Sequence, residues 1–155
     1  MIAFKNILVP VDFSEPSNRA LEVAIDLAKQ YDASLTVLHV FDVPLAYAGM
    51  GMSPIDLLTP MVEAARKQLD ATLAETRGSI SSATAILAQG TPWREILDAI
   101  PQRHADLIVM GTHGRRGVGR ALLGSVTEKV VRLSPVPVLT VRPPHAEAES
   151  PAVTG

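Results

Sequence analysis

The chain has 155 residues, 47% of them apolar and 19% charged, which suits one self-sufficient globular domain and excludes an intrinsically disordered chain. Its 14 Lys and Arg against 16 Asp and Glu leave a net charge of −2, so bulk charge does not mark it as a nucleic-acid binder. The absence of cysteine removes disulfides, thiolate metal sites, iron–sulfur clusters and cysteine nucleophiles together. The opening Met1-Ile2-Ala3-Phe4-Lys5-Asn6 lacks the basic-then-apolar pattern of a secretion signal, and no run approaches the ~20 apolar residues of a membrane span. The expectation is a soluble, cytoplasmic, single-domain protein without membrane or nucleic-acid partners.

Ile7-Leu8-Val9-Pro10-Val11 is an apolar run short enough for a buried strand. Ser14 can cap the helix that follows, with Glu15 and Pro16 in its first turn, and Ala20, Leu21, Ala24, Leu27, Ala28 and Tyr31 recur at steps of three and four. Residues 34–40 form a second strand. Residues 42–60, with Pro44, Gly49, Gly51, Pro54 and Pro60, read as a long irregular connection of the kind that is usually functional or mobile. Met50, Met52 and Met61 there offer an adaptable apolar surface or a loose cover over the core. A helix is predicted from about residue 60 to 77, a third strand over 83–88, and a helix capped by Thr91-Pro92. Residues 106–110 are the fourth strand, a helix starts near Ser125, and 136–141 is the last strand. Residues 143–155 carry no core pattern and are expected to be a disordered tail beyond a domain of residues 1–142. Strands alternating with helices imply a parallel sheet covered on both faces, joined by right-handed crossovers.

The informative segment runs from Gly111 to Glu128: Gly111, Gly114, Gly117, Gly119 and Gly124 are interleaved with Arg115, Arg116 and Arg120, and no acid occurs between Asp106 and Glu128. Glycines let backbone N–H groups approach an anion, and Ser125 with Glu128 has the spacing of a capping box, so a helix N-terminus follows the loop. Such a terminus attracts phosphate. No Lys precedes the hydroxyl residue as in a P-loop, and the glycines do not open the first helix as in a dinucleotide fold. The missing lysine argues against fast hydrolysis.

Ala105-Asp106-Leu107-Ile108-Val109-Met110-Gly111-Thr112-His113-Gly114, followed by Gly124-Ser125, resembles the universal stress protein family, and the spacing Gly-x2-Gly-x9-Gly-Ser resembles its ATP-binding branch. The resemblance extends to residues 7–12, Leu38-His39-Val40 and residues 135–139, and so spans roughly residues 4–142. It implies an open five-stranded α/β sheet of order 3-2-1-4-5. It also implies that Gly111, Gly114, Gly124, Ser125 and Val126 hold phosphates and ribose, that Pro10, Val11, Asp12 and Val40 line the adenine end, and that Met110 lies beneath it. ATP with Mg²⁺ is the implied ligand, and a homodimer through the last strand, at Val136, Val138, Leu139 and Val141, is the implied assembly. An apolar edge strand, which invites pairing, favours the same assembly. Phe13 stands where many relatives carry Gly, and its side chain is expected to narrow the site.

Other candidates carry alternatives. Asp12 contacts nucleotide, helps position a metal or caps the strand end. His113 and Arg115 reach phosphate or face solvent, as do Arg116 and Arg120. His39 is expected to be a satisfied core histidine, His104 and His145 surface residues, and Trp93 a helix anchor. No histidine pair has metal-site spacing. Ser14 and Ser125 read as caps, since no nucleophile elbow surrounds either. Three functions follow: a stress or signalling module whose nucleotide occupancy modulates partners, a slow ATPase, and a nucleotide-free dimeric interaction protein.

Overall fold

The computed structural model describes residues 1–43, 49–51, 53–113 and 123–143. In chain order the elements are β1 (Asn6–Pro10), α1 (Glu15–Tyr31), β2 (Ser34–Phe41), α2 (Pro54–Arg77), β3 (Thr84–Gln89), α3 (Pro92–Arg103), β4 (Leu107–Gly111), α4 (Ser125–Leu133) and β5 (Val138–Val141). The strands form one sheet of order β3-β2-β1-β4-β5, and every pairing is parallel. Central strands of such a sheet are covered on both faces, which is why β1 and β4 are apolar at almost every position rather than alternating.

The strand period of two divides the core. Ile7, Val9, Leu35, Val37 and Val109 pack on one face with Ala20 and Ala24 of α1 and Leu69 of α2. Leu8, Leu38, Ile108 and Met110 pack on the other with Ile96 and Ile100 of α3 and Val130 of α4. Asp106 ties the two central strands at their start: its carboxylate accepts the N–H of Lys5 at 2.7 Å and of Asn6 at 3.0 Å.

Local chemistry sets the helix ends. The Ser14 hydroxyl accepts the Ser17 N–H at 3.4 Å, and α1 stops at Asp32, whose left-handed backbone (φ 52°) returns its N–H to Ala28 O. α2 departs from the sequence reading. It begins at Pro54, not near residue 60, so 54–60 is helical rather than part of an irregular connection. Pro54 occupies the first turn, where its missing N–H costs nothing, whereas Pro60 lies inside the helix. The Met52 reading lies outside the described residues. β5 begins at Val138, so Val136 is not in the strand. It packs against the α3–α4 core, held by Ser134, whose hydroxyl donates to Val136 O at 2.7 Å and accepts its N–H at 3.1 Å. Among the described residues no helix is long and apolar enough to cross a membrane.

Candidate functional site

Adjacent strands β1 and β4 send their chains to opposite faces, into α1 on one and α4 on the other. That divergence opens a crevice beyond their carboxyl ends, the usual ligand position in such sheets. The register Ile7↔Leu107 and Leu8↔Ile108, continued past the ladder, puts Val11 and Asp12 level with Gly111 and Thr112.

On the β1 side, Pro10 ends the strand, Val11 is buried, and Asp12 opens a tight turn. The Asp12 carboxylate accepts the Ser14 N–H at 3.0 Å and the Ser14 hydroxyl at short range, while the Asp12 N–H donates to Ser17 Oγ at 3.3 Å. Asp12 therefore organises the start of α1 as well as standing at the crevice. Phe13 adopts φ 63°, the left-handed region that favours glycine. Its ring lies 4.4 Å from the His39 imidazole, packs on the α1–α2 side of the sheet and lines a groove between those helices with Leu21, Ile25 and Thr72. Val40, Met110 and Val126 pack on the opposite face. The Phe13 ring is thus taken up by the α1–α2 layer.

On the β4 side, Gly111 is the last strand residue, and a Cβ there would stand 3.0 Å from the carbonyl carbon and oxygen of Pro16. The segment between β4 and α4 is closed at its base by two bonds. Gly124 N–H donates to Thr112 O at 2.8 Å, and the buried Thr127 hydroxyl donates to Gly111 O at 2.9 Å. Thr112 is buried as well, and its N–H donates to Val141 O at 3.0 Å. Neither threonine stood out in the sequence, although Thr127 lies three residues before buried Val130 and so on the inward stripe of α4.

The capping-box reading of Ser125 is also corrected. The N-cap is Gly124, Ser125 is the first helical residue, and the cap makes no side-chain hydrogen bond to the opening turn of α4. A glycine cap offers the first-turn amides no side-chain acceptor. His113 is half-buried, with Nδ1 3.1 Å from Thr112 Oγ1, and its Nε2 is buried without a hydrogen-bond partner among the described residues. A buried polar atom left unpaired is costly, and a ligand can complete it. Gly114, Arg115, Arg116 and Arg120 lie outside the described residues. The remaining sequence-predicted residues meet at one end of the sheet: Pro10, Val11 and Asp12 after β1, Val40 on β2, Met110 and Gly111 on β4, His113 beyond it, and Gly124, Ser125 and Val126 opening α4. His39 is satisfied as expected, its Nδ1 2.8 Å from Val11 O. Trp93 anchors α3 to α4, with the Lys129 ammonium 5.0 Å and the Arg94 guanidinium 5.1 Å from its ring.

The chain is 37% identical over 148 residues to Universal stress protein MJ0531 of Methanocaldococcus jannaschii, covering 93% of this chain and 85% of that one. The solved structure of MJ0577 superposes with a TM-score of 0.77 at 28% identity, covering 91% of this chain and 97% of that one. A universal stress protein solved in complex with cAMP shares the fold at 23% identity and a TM-score of 0.65, covering 91% of this chain and 98% of that one. The Universal stress protein family profile matches residues 3–142, which include every strand and helix described, and this chain belongs to that family.

Proposed function

We propose that this chain is a nucleotide-binding universal stress protein that takes ATP in the crevice between the β1–α1 turn and the start of α4, and that occupancy modulates its contacts with partner proteins. The observation that carries the reading is the opening of α4: a helix N-terminus with a glycine cap, clamped to the end of β4 by Thr112 and Thr127, beside a buried nitrogen of His113 that has no partner among the described residues. Unpaired amides and the helix dipole suit phosphate oxygens. On this reading Gly111, His113, Gly114, Arg115, Gly124 and Ser125 serve the phosphates, while Pro10, Val11, Asp12, Val40, Met110 and Val126 serve the nucleoside.

The donor set fits Mg²⁺ only as a passenger on the phosphates. Among the described residues no group of three or more His, Asp or Glu stands together, and Mg²⁺ commonly binds through substrate phosphates, water and one or two carboxylates. When bound, the ion would neutralise phosphate charge, and Asp12 is the carboxylate that the β1–α1 turn brings to the site. A homodimer through β5 is part of the proposal: Leu139 on that edge strand is 39% exposed, and Val131 and Leu133 of α4 are exposed apolar residues as well.

Titration calorimetry with ATP and Mg²⁺, with cAMP as comparator, tests the site against Gly124→Asp. The new carboxylate lowers ATP affinity by roughly a hundredfold or more through like-charge repulsion, while stability holds because Asp is a favoured N-cap. Unchanged affinity would remove α4 from the site. No binding by the unaltered protein would leave a dimeric interaction protein.

A further inference from the structure

We infer that His39 and Phe13 act together as positioning residues for the nucleotide site, holding the backbone on both sides of Asp12; this rests on the proposed nucleotide reading. His39 lies on β2, and its Nδ1 is 2.8 Å from Val11 O. A carbonyl only accepts, so Nδ1 carries the proton whether the imidazole is neutral or charged. The Val11 N–H is in turn held by Leu38 O at 2.8 Å, so β2 fixes both backbone groups of the residue before Asp12.

The residue after Asp12 is held through the same imidazole. Phe13 keeps a left-handed backbone, φ 63°, that a bulky side chain adopts only where its surroundings impose it. Its ring rests on the imidazole at 4.4 Å with the planes 43° apart. One histidine therefore grips both neighbours of Asp12. Between those two grips the Asp12 carboxylate closes onto the Ser14 N–H and hydroxyl, which fixes the direction of the carboxylate and the first turn of α1.

A packing role alone would call for neither feature. Residues 35, 37 and 39 alternate onto the same face of β2, where Leu35 and Val37 are fully buried, and a leucine at 39 would continue that face. The donor at Nδ1 and the strained Phe13 both act on the turn that enters the crevice, and the ligand side of that turn is what they set.

The test compares the full chain with His39→Leu, His39→Gln and Phe13→Gly in calorimetric titration with ATP and Mg²⁺, alongside amide exchange at Ser14 and thermal unfolding. Losing the bond to Val11 O is expected to weaken ATP binding roughly tenfold in His39→Leu and to speed exchange at Ser14. His39→Gln, which retains an N–H donor, recovers part of both effects. Phe13→Gly relieves the strain but releases the imidazole, so Ser14 exchange rises there too. ATP affinity in His39→Leu equal to that of the unaltered protein overturns the inference, as does His39→Gln performing no better than a folded His39→Leu. Where His39→Leu fails to fold, His39→Gln and Phe13→Gly decide: ATP affinity and Ser14 exchange unchanged in both overturn it. An unaltered protein that binds no ATP overturns the nucleotide reading instead. Faster Ser14 exchange in the variants would then support the grip on the turn by itself, and its absence would end both.

Discussion

Replacing Gly111 by alanine separates packing from ligand binding at the centre of the crevice. Gly111 is buried at the end of β4, and its backbone lies against the first turn of α1. An added Cβ would meet Pro16 C and O at 3.0 Å and Pro16 Cβ at 3.1 Å, tighter than ordinary side-chain contacts. Those atoms belong to a proline in a capped helical turn, so they yield only if the start of α1 moves away from the sheet. Overpacking of this kind costs about 1–3 kcal/mol, and the entropy that alanine removes from the unfolded chain offsets about 0.4–1 kcal/mol of it. The net loss, centred on about 1.3 kcal/mol, lowers Tm by roughly 3–5 °C for a chain of this size. Thermal unfolding of nucleotide-free protein, at matched protein concentration because dimerisation would raise apparent stability, measures it. A Tm equal to that of the unaltered protein would refute the argument, since it would mean that α1 does not press on β4 at this point.

Three further outcomes follow from the same geometry. Thr127→Val keeps the shape but removes the donor to Gly111 O, and chemical denaturation should show a loss of about 1–3 kcal/mol for the unpaired buried carbonyl. His104→Gly should raise stability by about 1 kcal/mol, visible as a higher denaturation midpoint, because His104 ends α3 at φ 50°, where glycine has no steric penalty. Leu139→Arg places a charge on the exposed face of edge strand β5, and sedimentation velocity should show a shift from dimer to monomer if two copies pair there.

The elements were legible wherever one period dominated. Residues 7–9 and 107–110 are unbroken apolar runs, and α1 repeats its small apolar residues at steps of three and four, so strand and helix could be told apart by length and spacing. The sheet order was reached only through family resemblance, because alternation fixes parallel pairing but not which strand neighbours which. The start of α2 was misread because two prolines compete for its first turn, and local preference cannot tell which one a helix will begin on. Within the site, the residue types were legible but several of their roles were not. The Ser125–Glu128 spacing matches a capping box, yet the helix starts one residue earlier on Gly124. The left-handed Phe13 and the inward Thr127 hydroxyl depend on partners far away in sequence, and no local pattern announces them.

The glycines of the motif also differ in what they imply. Gly111 has a packing reason of its own, since a Cβ there would press on Pro16 at 3.0 Å, so its presence says little about a ligand. Gly124 is different. Its φ of −60° and ψ of 155° are open to any residue, and it holds the N-cap of α4, a place where Ser, Thr, Asp or Asn would bond the first-turn amides and stabilise the helix. Glycine there gives up a few tenths of a kcal/mol and offers those amides no side-chain acceptor of its own. A bare N-cap leaves an anion free to approach those amides. Gly124, rather than the more buried Gly111, is therefore the glycine that argues for an anion at this helix.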